Sequence, residues 1–201
     1  MEGFAKYQDI QDEYFELILN KVTAKTTVSG DFTQFYSYPL TYPEEIYKAP
    51  KINYDLLPNG TDFIPVAGQD LQEKALSIST EAIQDKLLLL DFWYLACGNC
   101  LLAMPHLSKL AEKYQPQGLQ VYGLNPYDDP GKKRETAQKF LDKFQVKYPQ
   151  VFVSKTVPEQ YQIKVYPSMY LIKNGKIVYT HLGYSEAQMK ELEAEILKNL
   201  Q

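Results

Sequence analysis

"LLLLDFWYLACGNCLLAMP", residues 87–105, decides how this chain is read. Four leucines followed by Asp91, Phe92, Trp93 and Tyr94 predict a β-strand buried on both faces, as in a parallel sheet, and a helix follows from about Cys97 to Tyr114. The chain's two cysteines, Cys97 and Cys100, stand at that junction in a C-x-x-C spacing. A thiol in the first turn of a helix meets unsatisfied backbone N–H groups and the positive end of the helix dipole, and both favour thiolate. Cys97 is therefore the expected nucleophile. Cys100, one turn deeper, is the expected resolving thiol, displacing a substrate held on Cys97. The competing reading is a passive disulfide or two inert thiols.

Asp91 is the second signal. An acid in the middle of an apolar strand is costly to bury as a charge. Burial lifts a carboxyl toward the range where it exchanges protons near neutrality. The alternative is an aspartate facing outward at a strand end, or one with only a structural hydrogen bond.

Composition narrows the function classes. At 201 residues and 45% hydrophobic content the chain is able to bury a real core, which argues against disorder. Its 21 basic and 25 acidic residues give a net charge of −4, unlike the basic surfaces that bind nucleic acid. No apolar run approaches the roughly 18 to 20 residues of a membrane span. The opening "MEGFAKYQDIQDEYFE" lacks the basic leader and apolar core of a secretory signal, which fits a cytosolic protein or one whose leader has been removed. Two cysteines exclude a multi-bridge scaffold, and with only His106 and His181 beside them they make a poor zinc set, so no metal is expected.

Outward from the central stretch, two regions differ in character. Residues 1–66 read as an N-terminal extension: an amphipathic helix over about residues 4–22, carried by Phe4, Tyr7, Ile10, Tyr14, Leu17 and Ile18, then an irregular Tyr- and Pro-rich segment. From residue 67 to 201 order alternates. "ALSIS" at 75–79 and "LQVYGLN" at 119–125 read as strands, and "GKKRETAQKFLDKFQ" as a helix entered from the turn "NPYDDPG". "SMYLI" and "KIVYTHL" form a hairpin over Asn174-Gly175, and the last segment opens on a capping box, Ser185 with Gln188. This order predicts an α/β fold, a central mixed sheet with helices on both faces.

These residues carry a resemblance. Asp91-Phe92-Trp93, Cys97-Gly98-Asn99-Cys100, Pro105, Tyr166-Pro167-Ser168 ahead of a strand, Lys173-Asn174-Gly175 and Gly183 occur in the order of the thioredoxin-like fold. The segment "VYGLNPYDDPGKKRETAQKFLDKFQVKYPQVFV" resembles the membrane-tethered TlpA/ResA-type thiol-disulfide oxidoreductases more than plain thioredoxin. The resemblance spans about residues 67–201 and implies several things. The redox-active Cys97–Cys100 disulfide serves without a further cofactor, and Asp91 lies beneath Cys100 as its proton acceptor. The Tyr166–Pro167 bond is cis, with Tyr166, Pro167 and Trp93 around the substrate groove. The substrates are protein thiols or disulfides and a donor protein re-reduces the cysteine pair, in an extracytoplasmic compartment, periplasmic or cell-envelope, with a membrane tether outside these residues. The rival reading is a thioredoxin-fold binding or scaffolding module with a non-catalytic disulfide.

The chain also departs from those relatives. Ala103 stands where many ResA-like proteins carry a glutamate, and Asp91 where they carry an asparagine, so the proton acceptor is of the thioredoxin kind. Ala96 replaces the tryptophan before the first cysteine, and Leu101-Leu102 follow the second. That apolar rim is expected to meet the N-terminal helix or a partner. Asn99 stands where thioredoxins have proline, and a somewhat more oxidising couple is expected. Trp93 also reads as core packing beside the thiols, His106 as a helix-surface residue, His181 as structural, and Asp128 with Asp129 as a turn and helix cap. A peroxidase is disfavoured by the C-x-x-C spacing and the lack of a P-x-x-x-T-x-x-C motif.

Overall fold

Strand β3 (Leu87–Phe92) is buried along its whole length and sets the register of everything beside it. The computed structural model describes residues 54–201. The predicted helix at 4–22, and the predicted irregular segment as far as residue 53, lie outside the described residues. On one side β3 runs parallel to β4 (Leu119–Asn125), which runs parallel to β5 (Gln150–Val153). On its other side β3 pairs antiparallel with β6 (Ser168–Lys173), itself antiparallel to β7 (Lys176–Leu182). Two short strands, β1 (Val66–Gln69) and β2 (Ala75–Ile78), complete a seven-stranded mixed sheet in the order β2-β1-β5-β4-β3-β6-β7.

The two-residue alternation of β3 divides the core. Leu87, Leu89 and Trp93 join one apolar layer with helices α1 (Gly98–Tyr114), α2 (Pro130–Lys143) and α4 (Glu186–Leu200). Leu88, Leu90 and Phe92 join the other layer, which among the described residues carries the five-residue helix α3 (Thr156–Gln160), the short turn around Ile83 and residues such as Phe63. Helix α1 buries Cys100, Ala103, Met104, Leu107, Leu110 and Tyr114 at three- and four-residue intervals, the stripe that docks it on the sheet. Asp91 has the parity of Leu89 and Trp93, so it projects into the α1 layer.

Residues 57–66 pack with this sheet. Leu57 N–H donates to the Tyr170 hydroxyl at 3.0 Å, Gly60 N–H to the Ile177 carbonyl at 2.7 Å, and Phe63 and Val66 are buried. The β6–β7 turn has Asn174 and Gly175 at φ of 52° and 71°, the paired positive values that a two-residue hairpin turn requires. The expected capping box forms in half. Ser185 accepts from Gln188 N–H at 3.2 Å, but the Gln188 side chain donates to the Leu182 carbonyl instead of returning to the cap. Among the described residues no helix is long and apolar enough to cross a membrane.

Candidate active site

Helix α1 begins at Gly98, which makes Cys97 its N-cap. Cys97 is extended, and its Sγ accepts a hydrogen bond from Cys100 N–H at 3.2 Å. That amide is one of the unsatisfied donors at a helix start, and aiming it at sulfur favours negative charge there. Cys97 and Cys100 are joined as a disulfide. The two cysteines are both buried but unequally, Cys97 keeping 5% of its residue surface and Cys100 only 1%. An incoming group therefore meets Cys97 first.

Asp91 is fully buried. Its neighbours in register are Met169 on β6 and Gly123 on β4, neither of which offers a charge. Burial pushes its carboxyl up to about 7, against a smaller pull downward from the Tyr148 hydroxyl, which donates to Oδ2 at 2.9 Å. Among the described residues Oδ1 has no hydrogen-bond partner. A carboxyl poised at that value takes or gives a proton at neutral pH, and it lies in the layer that holds both sulfurs.

The loop carrying Cys97 is held from the side by a residue that the sequence reading left as a turn. The buried Asp128 accepts from Leu95 N–H at 2.8 Å and from the Asn125 amide at 3.0 Å through Oδ2, and from Lys133 Nζ at 2.7 Å through Oδ1. Burial works to raise this carboxyl. The Lys133, Leu95 and Asn125 donors outweigh it and hold the group below its ordinary value. Asp128 thus ties the end of β4 to the backbone two residues before Cys97, whereas Asp129 is the cap of α2, accepting from Gly131 N–H at 2.9 Å. The local signal was the Asn125-x-x-Asp128 spacing, in which Asn125 Oδ1 also accepts from the N–H groups of Tyr127 and Asp128.

The Tyr166–Pro167 bond is cis. Tyr166 packs edge-on against Tyr94 and Tyr127 at ring-centroid distances of 5.2 and 5.6 Å, and Tyr94 meets Tyr127 at 5.6 Å, a three-tyrosine cluster whose Tyr127 is half exposed. Tyr94 belongs to the segment that leads into Cys97, so the cluster borders that loop. Trp93 is placed differently from a groove residue: it is fully buried, stacked on Phe140 at 5.7 Å, and presents no surface to a substrate. Of the apolar rim, Leu101 is half-buried and Leu102 exposed. His181 is buried and bonded to the Gly183 carbonyl, and His106 pairs with the Tyr184 hydroxyl at 3.1 Å. Among the described residues no group of three or more His, Cys, Asp or Glu side chains is placed to hold a metal ion.

Comparison with known proteins agrees with this geometry. Residues 60–180 match the model of the AhpC/TSA family. The chain is 32% identical over 125 residues to the thiol-disulfide oxidoreductase ResA of Halalkalibacterium halodurans, covering 61% of this chain and 68% of that protein. It is 28% identical over 131 residues to the thioredoxin-like protein YneN of Bacillus subtilis, covering 63% and 75% respectively. A crystal structure of a putative thiol:disulfide interchange protein DsbE from Chlorobium tepidum superposes with a TM-score of 0.64 at 27% identity, covering 72% of this chain and 99% of that one.

Proposed function

We propose, from the premise that the chain belongs to the AhpC/TSA family and is a ResA-type thiol-disulfide oxidoreductase, that it reduces disulfides of other proteins through Cys97 and Cys100 with Asp91 as base. The observation that carries this reading is the disulfide at the start of α1, whose Cys97 residue is more exposed than Cys100, in the same layer as a buried carboxyl. In the reduced protein the Cys97 thiolate attacks one sulfur of a substrate disulfide. A Cys97–substrate bond forms and the other substrate sulfur leaves as thiolate. Asp91 then takes the Cys100 proton, and the new thiolate attacks Cys97 Sγ. The substrate's second sulfur is released, and Cys97–Cys100 closes as the disulfide present in the structure. Two electrons pass to the substrate, and a donor protein returns them.

The half-exposed Tyr127, with Tyr94 and Tyr166, forms an aromatic border on which an extended substrate segment rests, and the main chain ahead of Pro167 pairs with it. Likeness to ResA-type proteins supports an extracytoplasmic site of action, with a tether outside the described residues. Reduction of insulin disulfides with dithiothreitol tests the reading. Wild type is expected to accelerate precipitation and Cys97→Ser to leave it at the uncatalysed rate; equal rates for the two would refute a catalytic disulfide. Equilibration with glutathione buffers fixes the direction of flow, and a potential more oxidising than thioredoxin's is expected from Asn99.

A further inference from the structure

Asp91 does not stand alone. Tyr148 precedes β5, is 5% exposed, and directs its hydroxyl at Asp91 Oδ2. Four hydrogen bonds of its segment fix its seat. The Gln150 amide donates to the Tyr148 carbonyl at 2.8 Å, and Gly123 N–H to the Pro149 carbonyl at 2.9 Å. On its other flank Lys147 is bonded to α1, its N–H to Ser108 Oγ at 3.2 Å and its Nζ to Glu112 at 2.7 Å. The residue that grips the carboxyl is thus bracketed between the strand beside Asp91 and the helix that bears Cys100. Gly123 makes the arrangement possible: a Cβ there would lie 2.0 Å from Gln150 Oε1, so the missing side chain is the space the glutamine amide occupies.

We propose that Tyr148 is a positioning residue for the dithiol reaction: its hydroxyl engages one oxygen of Asp91, leaving the other, Oδ1, to receive the Cys100 proton. The proposal rests on the reading of Asp91 as the base. A neutral donor suits this role better than either extreme. A lysine would hold the carboxyl ionised and weaken it as a base, and an apolar residue would raise its midpoint further, leaving less of it ionised at neutral pH. Burial and the adjacent Asp91 push the Tyr148 phenol well above its ordinary value, so it stays a donor throughout. The remaining groups toward Asp91 are apolar or neutral: Met169 on β6, Gly123 on β4, Gln150 on β5, and Ala103 and Met104 with the disulfide on α1. Other titratable groups of the layer are Tyr114, bonded to Glu193, the partly buried Tyr94, Tyr166, Tyr179 and Tyr184, and His181, which stands opposite Met169 on β7 and is turned to Gly183.

The test follows the carboxyl directly. The Asp91 carboxyl carbon is titrated by NMR in oxidised wild type and Tyr148→Phe. The resolving step is then timed by the second thionitrobenzoate released when each reduced protein meets one equivalent of dithiobis-nitrobenzoate, over about pH 5 to 9. The phenylalanine variant is expected to move the carboxyl midpoint up by about one pH unit and the rising limb of the rate profile with it, a tenfold slower step on that limb. A purely structural role would instead scale the rate equally at every pH. An unmoved midpoint, or a uniform scaling, overturns the proposal. Asp91→Asn separates the two layers of the argument. If the wild-type profile survives in that variant, the base assignment itself fails, and the proposal with it. If the profile is lost there while the Tyr148→Phe midpoint stays put, the positioning role alone fails.

Discussion

Replacing Asp91 by asparagine should make the oxidised protein more stable, and only above acidic pH. In the unfolded chain this carboxyl titrates at its ordinary 3.8, whereas in the fold burial lifts it to about 7. Below the unfolded value both states are protonated and the residue contributes no pH dependence. As the pH rises from about 4 to about 7 the unfolded state gives up a proton that the folded state keeps, so the folded state loses about 1.4 kcal/mol per pH unit. The shift of about three units sums to about 4 kcal/mol, fully lost above pH 7 or so. Asparagine keeps the shape and an oxygen for the Tyr148 hydroxyl but has no proton to lose. Denaturant unfolding with the disulfide intact should therefore give a wild-type/variant difference near zero at about pH 4, growing to about 4 kcal/mol at about pH 8. A difference independent of pH, or a variant less stable at pH 8, would refute the claim that Asp91 is buried without a charged partner.

Three further outcomes follow from the site. Cys100→Ser should accumulate substrate proteins as mixed disulfides on Cys97, visible as reducible adducts on non-reducing gels, and Cys97→Ser should accumulate none, since Cys100 is the more deeply buried residue. Asp128→Ala strips the acceptor from Leu95 N–H and the Asn125 amide and should cost about 2 to 3 kcal/mol in denaturant unfolding, together with slower Cys97 alkylation or turnover as its loop loosens. Gly123→Ala drives a methyl into the Gln150 amide and should cost about 1 to 3 kcal/mol, most of it recovered in the Gly123→Ala/Gln150→Ala double variant; additive losses would show that the two residues do not compete for one space.

What the sequence discloses and what it conceals have a physical division. The strands at 119–125 and 176–182 and the hairpin between β6 and β7 fall where periodicity and Asn174-Gly175 put them, because those signals are local. Strands β1 (VAGQ) and β5 (QVFV) show no two-residue alternation of the kind that marks the equally short β2 (ALSI), and each exists through its partner across the sheet. In the site, Cys97, Cys100 and Asp91 were legible because a C-x-x-C pair at a strand–helix junction and an acid inside a leucine run are anomalies within a few residues of each other. Tyr148 and Asp128 were not. Tyr148 reaches Asp91 across 57 positions and Asp128 reaches Leu95 across 33, and one tyrosine among 17, or one of two adjacent acids in a turn, carries no mark of what it will face.

The same burial that weakens the fold at neutral pH would suit Asp91 to the role of base proposed for it. A cysteine thiol ordinarily titrates near 8.5, so a carboxylate at 3.8 would accept its proton against a gap of almost five pH units. At about 7 the gap falls to about one and a half, raising the equilibrium share of the thiolate by about a thousandfold. Asparagine at this position would leave the protein more stable and the resolving thiol without that gain. The two measurements should therefore move in opposite directions in Asp91→Asn, stability up and resolution rate down, with both effects growing over the same pH interval. If instead stability rises and the rate is unchanged, the carboxyl is a burden that the reaction does not use.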